Sequence, residues 1–386
     1  MKRIAVDAER CCGCGACADA CPRGAITLTE DENGFLMPQI AEDKCVDCGM
    51  CRTVCQFQKE KETEPGIRAV YAVKHNDKAV VLGSSSGGAF SALSDCVLAQ
   101  GGVIVGAVME DDFTVRHVFA ETAQERDAMR GSKYVQSDTR GVFRKVQERL
   151  ERGQLVMFVG TQCQAASMRS FLRKDYENLL LVDFLCHGVP GNALFKEHIR
   201  AMEKHFGRKI VSYSFRRKNL GWDPEHTESA VLEGRKGYVC SDELQGFTRL
   251  FNRSLSLRDG CFNCPYRSQY RFADLTIADF WGIEKITGKA DKSGVSLAAA
   301  GSERGIEWMK KAAAYASVME VPVEKALNRF RLTPVKRKDA VDAFRASLKK
   351  NGYSAAMHRY TATGTLKSRL RFTMKKIKRM VMDVER

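Results

Sequence analysis

The chain is 386 residues long, 44% hydrophobic and 28% charged, with a formal net charge of +15. That size and mix call for at least two globular domains and exclude a helical membrane span: the best apolar runs, Leu155 to Val159 and Leu179 to Leu185, fall far short of the roughly 18 residues that cross a bilayer. Nine of the fifteen cysteines lie before Gln56, in a long chain with no apolar leader after Met1, which points to metal ligation in a reducing cytoplasm and not to a secreted disulfide framework.

Cys11, Cys14, Cys17 and Cys21, followed by Pro22, fit C-x2-C-x2-C-x3-C-P, and Cys45, Cys48, Cys51 and Cys55 repeat the spacing without the proline. Cysteines so spaced wrap one cubane, while the fourth, expected to open a helix, reaches the other cluster. Ligation is therefore expected crosswise: Cys11, Cys14, Cys17 and Cys55 to one [4Fe-4S] cluster, Cys45, Cys48, Cys51 and Cys21 to the second. Structural zinc uses pairs of C-x2-C and suits a run closing in C-P less well. Gly13, Gly15, Ala16 and Gly49 leave room for backbone N–H groups beside the sulfurs, and Cys12 is a spare thiol. Ala25 to Thr29 and Gly34 to Pro38 read as a hairpin turning at Asn33-Gly34. Each cluster with its thiolates carries about −2, so two leave a net charge of roughly +11.

Lys59 to Gly66 is charged and ends in Pro-Gly, which places a boundary near residue 65. Beyond it, β-branched runs alternate with helical periodicity: Ala69 to Val73, a helix from about Ser86, Val103 to Val108, and a capping box at Thr122 and Glu125. Leu155 to Val159 breaks at Gly160 before a helix, Leu179 to Leu185 breaks before Gly188 and another, and Ala273 to Phe280 reads as a further strand. Such strands are parallel and buried, and their carboxyl ends share the edge where ligands bind.

Cys163 and Cys186 both follow strand ends, and Cys261 and Cys264 lie in Cys-Phe-Asn-Cys-Pro265. These four are expected to ligate a third [4Fe-4S] cluster; buried apolar cysteines beside a solitary redox pair, or half a zinc site, are the alternatives. Cys96 and Cys240, on apolar-patterned segments, are expected in the core.

Six motifs in order carry a family resemblance: Ser85-Ser-Gly-Gly88, Gly131 to Ser137, Gly160-Thr-Gln-Cys-Gln164, Cys186-His-Gly-Val-Pro190, Cys261 to Tyr266, and Ala273 to Gly282. The sequence from about residue 1 to 330 resembles the beta subunits of coenzyme F420 hydrogenases and dehydrogenases, in a version fused to an N-terminal two-cluster ferredoxin. The resemblance implies FAD, a [4Fe-4S] cluster in the large domain, and electron passage between a deazaflavin or other hydride substrate and iron–sulfur chains. It singles out Ser85, Ser86, Gly87, Gly88, Ser132, Lys133 and Tyr134 as flavin contacts. The glycine-serine turn opens a helix whose free N–H groups suit a pyrophosphate, although an N-capped structural helix reads the same way; Lys133 would set charge near the ring and Tyr134 would stack on it, although as a bare pattern a surface Lys-Tyr pair is commoner. His187 reads as an acid or as a supporting hydrogen-bond donor, Asp279 stays unassigned, and no catalytic residue is named. Gln162 replaces a common proline and Ala278 a common glycine, which leaves the hydride partner open.

The fold expected is an α+β two-cluster ferredoxin domain over residues 1–64, an α/β domain with a mainly parallel sheet over 65–335, and a basic helical tail over 336–386. In the tail Leu366, Leu370, Ile377, Val381 and Val384 recur opposite Lys and Arg residues, as in a helix packed on its own protein or one in peripheral contact with a membrane surface. The function expected is an iron–sulfur flavoprotein oxidoreductase; the alternative is a ferredoxin-like electron carrier or adaptor subunit without flavin. A redox partner protein fits the basic charge, and nothing implies nucleic acid.

Overall fold

The computed structural model describes residues 4, 7, 9–58, 66–218, 221–222, 227–267, 271–289, 291–326 and 339–384. The expected boundaries near 65 and 335, and Lys336-Arg-Lys338, lie outside these residues.

In the N-terminal lobe, strands β1 (Ile26–Glu30) and β2 (Leu36–Ile40) pair antiparallel with Ile26 opposite Ile40. Their turn is held by Asp31, whose Oδ1 accepts the N–H groups of Asn33 and Phe35 at 2.9 Å, and Gly34 takes the left-handed conformation at φ 77°. Helices Ala16–Asp19 and Met50–Thr53 are each entered from a left-handed glycine, Gly15 or Gly49. Each holds the third cysteine of its run, so the fourth follows a helix; Cys21 opens no further one, whereas Cys55 leads into the 3-10 turn Gln56–Gln58, with Gln58 N donating to Cys55 O at 3.0 Å. A single helical turn that stops early frees the chain to carry Cys21 and Cys55 toward the opposite half.

The rest adds β3 (Ala69–His75), β4 (Val103–Met109), β5 (Val115–Ala120), β6 (Ser137–Asp138), β7 (Val156–Thr161), β8 (Leu179–Phe184), β9 (Ile210–Ser214), β10 (Ser229–Leu232), β11 (Tyr238–Val239), β12 (Leu275–Asp279), β13 (Ser296–Ala300) and β14 (Ala316–Val321). Nine of these form one sheet in the order β14-β3-β13-β12-β8-β7-β4-β5-β6, and β9 to β11 form a small antiparallel one. The centre, β12-β8-β7-β4, is parallel as expected, while antiparallel pairs β12–β13, β13–β3, β3–β14 and β4–β5 extend it on both sides. The carboxyl ends of β7, β8 and β12 therefore share an edge, and β7 runs on through Gly160 to Thr161.

Both faces are covered, which is why the central strands are predominantly apolar, with polar residues such as Thr161, Asp183 and Asp279 gathered toward their carboxyl ends. On one face Leu93 and Val97 of helix Ala89–Leu98 and Trp308 of helix Glu303–Ala312 meet Ile104, Met157, Leu180 and Leu275. On the other, helices Val142–Glu151 and Gln162–Leu172 meet Val103, Phe158 and Leu181, and Ala16 and Val54 of the N-terminal lobe join the same core. Cys96 is buried in the first core as expected, whereas Cys240, just past β11, is only half-buried. Helix Asp339–Thr361, kinked at Gly352, closes a third core around Phe195 and Phe247, and helix Leu366–Val384 follows.

Asp19 fastens the lobe to this body. Its Oδ1 accepts from Gly141 N at 2.8 Å and Oδ2 from Phe143 N at 3.0 Å, so one side chain caps a helix 122 residues away. Burial pushes its carboxyl above the usual range, and those N–H groups draw it back. Asp19→Ala is expected to cost about 1–2 kcal/mol in anaerobic urea unfolding, and Asp19→Asn, which keeps one acceptor oxygen, less.

Candidate metal centres and cofactor site

Eight cysteines of the lobe sort into two groups. Cys17 is buried and its thiol is pushed up, first by burial and then by Cys14, Cys11 and Cys55. Cys55 is pushed up to about 11 by burial, with Cys14 and Cys11 adding to it. Backbone N–H groups face these sulfurs: Gly13 N donates to Cys11 Sγ at 3.4 Å, and those of Ala16, Ala18 and Phe57 face Cys14, Cys17 and Cys55. Cys21, Cys45, Cys48 and Cys51 line one cavity, with Ala25 N donating to Cys21 Sγ at 3.3 Å and Ile4 N to Cys51 Sγ at 3.2 Å. Each group thus takes its fourth thiol from the opposite run. Among the described residues no three donors converge on one point. A cubane asks for something else, four thiols around a shared space with N–H groups aimed at sulfur, and both groups fit it.

A third group assembles at the sheet edge. Thr161, at the end of β7, caps helix Gln162–Leu172 through a box with Gln164 and sets its hydroxyl 3.1 Å from Cys163 Sγ. Cys186 follows β8, and Cys261 and Cys264 lie in and just beyond the short helix Asp259–Phe262. Burial raises Cys186 well above the ordinary thiol range, and Cys261, Cys163 and Cys264 raise it further. Cys261 is pushed up to about 11 and Cys264 to about 12, in each case by burial first. The N–H groups of Gly188, Val189 and Tyr266 face three of these sulfurs. Thiols packed together away from water resist losing their protons to solvent, and a cationic iron–sulfur core is what replaces those protons favourably.

Cys12 joins the groups. It hydrogen-bonds with both Cys14 and Cys163, which drives its own proton affinity up and draws Cys14 down to about 7 and Cys163 down as well. The loops approach as closely as backbone allows: a Cβ on Gly260 would stand 2.8 Å from Cys11 O, and one on Gly13 would stand 2.6 Å from Leu36 O. Phe57 and Tyr266 bring their rings to 6.0 Å across the same joint. Gln162 donates its amide N–H to Tyr266 O at 3.0 Å and accepts from Arg271, so it serves the third group's loop.

Of the residues singled out for flavin, Ser85 to Gly88 lie beside β3 and β13, and Ser132 reaches Ser85 from the 131–134 segment. Ser85 Oγ is 2.9 Å from Ser132 Oγ and accepts from Ser132 N, and Ser86 Oγ donates to Val295 O at 2.8 Å. Gly87 is packed on backbone, since a Cβ there would lie 2.2 Å from Val73 O, and Gly88 is the left-handed entry to helix Ala89–Leu98. Among the described residues, the backbone N–H groups of Ser85, Ser86, Gly87 and Gly88 meet no backbone acceptor. Such a run of N–H groups at a helix entry fits an anionic pyrophosphate. Lys133 is turned away from that turn: its Nζ donates to the carbonyls of Ala128, Met129 and Arg130, and burial lowers it to about 7. Tyr134 stacks on Phe251 at 4.7 Å, and His187, lowered by burial, lies edge-on to the same ring with Nε2 3.0 Å from Ser254 Oγ.

Residues that sequence reasoning missed complete this region. Arg216 makes a two-pronged pair with Asp279 at 2.6 and 2.9 Å, Trp222 Nε1 donates to Asp279 Oδ1 at 3.1 Å, and Trp222 stacks on Trp281 at 4.1 Å. Lys218 Nζ donates to Val81 O at 2.6 Å, to Ser293 O at 2.8 Å and to Ser86 O, and burial lowers it to about 7. The signal available beforehand was Arg-Arg-Lys218 followed by Trp222, a basic run too short to read without its partners.

Residues 153–325 match the family described as the C terminus of the coenzyme F420 hydrogenase/dehydrogenase beta subunit, and residues 10–59 match the 4Fe-4S dicluster domain. One subunit of the F(420)H(2) dehydrogenase of Methanosarcina mazei is 26% identical over 189 residues, 46% of this chain and 53% of that protein. An uncharacterized ferredoxin of Methanocaldococcus jannaschii is 44% identical over 52 residues, 14% of this chain and 66% of that one. The chain thus spans about half the length of the first relative. A chain in the xenon-derivatized F420-reducing [NiFe] hydrogenase complex of Methanosarcina barkeri has 18% identity and a TM-score of 0.45 over 78% of this chain and 94% of its own length.

Cys264→Ser is expected to remove about four irons per chain and leave the electron paramagnetic resonance of the two lobe clusters intact. Unchanged iron would refute ligation by the third group.

Proposed function

We infer, for a chain that joins a 4Fe-4S dicluster domain to a beta-subunit domain of the coenzyme F420 hydrogenase/dehydrogenase family, that it is an iron–sulfur flavoprotein oxidoreductase exchanging electrons with a hydride donor or acceptor. One observation carries the reading: Cys12 lies against Cys14 of the lobe and Cys163 of the sheet edge, so the two thiol groups adjoin. When bound, a flavin supplies the exchange between two-electron hydride chemistry and one-electron carriers, and [4Fe-4S] clusters supply those carriers.

The residues present have distinct tasks. Thr161 and the N–H groups of Gly188, Val189 and Tyr266 hold the thiols of the third group and favour their anionic form. The turn from Ser85 to Gly88 offers its N–H groups to a pyrophosphate, and Lys218 fixes that turn to the 293 loop. The Arg216–Asp279 pair holds Trp222 and Trp281 in register, giving the edge a flat aromatic wall. Ser85 and Ser86 already bond within the protein, which favours a second reading, an electron carrier or adaptor without flavin.

Anaerobic purification with assay of iron, acid-labile sulfide and extractable flavin decides between them. About twelve irons and one FAD per chain are expected for the oxidoreductase. About eight irons and no flavin would overturn it and leave the carrier.

A further inference from the structure

Arg258 is 2% exposed, yet it meets carbonyls, a thioether, an amide oxygen and the Cys11 thiol, and no carboxylate. Nε donates to Cys11 O at 2.6 Å, Nη2 to Leu36 O at 2.9 Å and to Met37 Sδ at 2.6 Å, and Nη1 to Gln136 Oε1 at 3.3 Å, with the guanidinium 5.6 Å from the Phe35 ring centre. Among the described residues no carboxylate pairs with it. An always-charged guanidinium taken out of water without a counterion is strongly disfavoured, so its neighbourhood has to supply negative charge. The groups its charge reaches are the thiols of Cys11 and Cys14 on one side and of Cys163 and Cys261 on the other. Arg258 also stands three residues before Cys261, so one side chain belongs to the loop of one thiol group and grips the backbone of the other.

We propose that Arg258 is a positioning residue and shared countercharge between two clusters: its buried charge raises the reduction potentials of the Cys11 group and the Cys163 group together, while its fork fixes the spacing between them. The proposal rests on the cluster reading above. Adding an electron makes each cluster more negative, and a fixed cation nearby favours that state. The Cys21, Cys45, Cys48 and Cys51 group lies in the other half of the lobe and serves as an internal reference.

The test is a redox titration of the intact anaerobic protein, with each cluster followed by electron paramagnetic resonance. In Arg258→Gln the midpoints of the two flanking clusters are expected to fall so that the reduced-to-oxidised ratio at a given potential drops about tenfold, about 59 mV for a one-electron couple, with the reference cluster unmoved. Arg258→Lys keeps the charge and is expected to restore most of that shift. Gln136→Glu places a carboxylate against Nη1 without removing the guanidinium and is expected to lower both midpoints, which keeps the test open if Arg258→Gln holds iron poorly. Unchanged midpoints at full iron content, or movement of one flanking cluster alone, would overturn the proposal while leaving the cluster reading intact. About eight irons in the unmodified protein would instead remove both.

A separate observation concerns the helix Leu366–Val384. Leu366, Leu370, Met374 and Ile377, spaced four, four and three residues apart, form one stripe exposed at 75%, 54%, 64% and 55%. The helix is moored by another flank, where Arg369 Nε donates to Glu243 at 2.8 Å and Ser368 Oγ to Asp242 at 2.8 Å. Lys367 and Arg371 stand exposed beside the stripe, and residues 366–377 contain no acid. We infer that this face docks on an anionic lipid surface, which accepts apolar side chains and cations together. The full chain is expected to sediment with phosphatidylcholine vesicles containing phosphatidylglycerol and not with phosphatidylcholine alone, and Leu370→Glu with Ile377→Glu is expected to abolish that binding. No sedimentation, binding that survives the double substitution, or self-association lost in the same variant would overturn it.

Discussion

Everything about the metal region depends on how closely two stretches of backbone approach. Cys11 O faces Gly260 with no room for a side chain between them, and Leu36 O faces Gly13 in the same way. Side chains at either glycine would force the loops apart and with them the thiols of Cys14, Cys12 and Cys163. The remaining contacts at this joint follow from that approach: Thr139 Oγ1 donates to Cys14 O at 2.5 Å, Asp19 caps a helix of the body, and Arg258 enters from the other side. The lobe is therefore built into the protein and is not tethered by its linker alone.

The sheet explains why the third group can exist. Cys163 and Cys186 are distant in sequence, but β7 and β8 pair in parallel with Gly160 opposite Asp183, so the residues that follow each strand emerge side by side. Antiparallel β13 beside β12 then brings the 291–296 loop to that edge, where Lys218 fastens it to the turn at Ser86. The third thiol group and the Ser85 to Gly88 turn thus share one structural origin, the common edge of a parallel centre.

Spacing made the metal region legible in advance. Two runs of four cysteines dictate a crosswise lobe, and Cys163 and Cys186 are readable because each follows a β-branched run that breaks at glycine or polar residues. What the sequence hid were groups defined by partners far along the chain. Arg258 is an ordinary arginine until Cys11 and Leu36, more than two hundred residues earlier, come to its fork. Asp279 could be placed at a strand end but not paired, because Arg216 reaches it from outside the sheet. Lys133 reads as a charge near a ring, and the structure turns it into the carbonyls of the preceding turn, an outcome no local pattern announces.

The thiols of the lobe differ in one respect that bears on handling the protein. Cys17 and Cys51, one from each run, are buried together in the lobe's own core with Ile26, whereas Cys48 is exposed and its neighbour Val46 stands 61% open to water. Dissolved oxygen and chelators meet Cys48 first, far from the joint where the Phe57 and Tyr266 rings meet. Damage in air to these thiols therefore begins at Cys48 and works inward, reaching the joint with the body last.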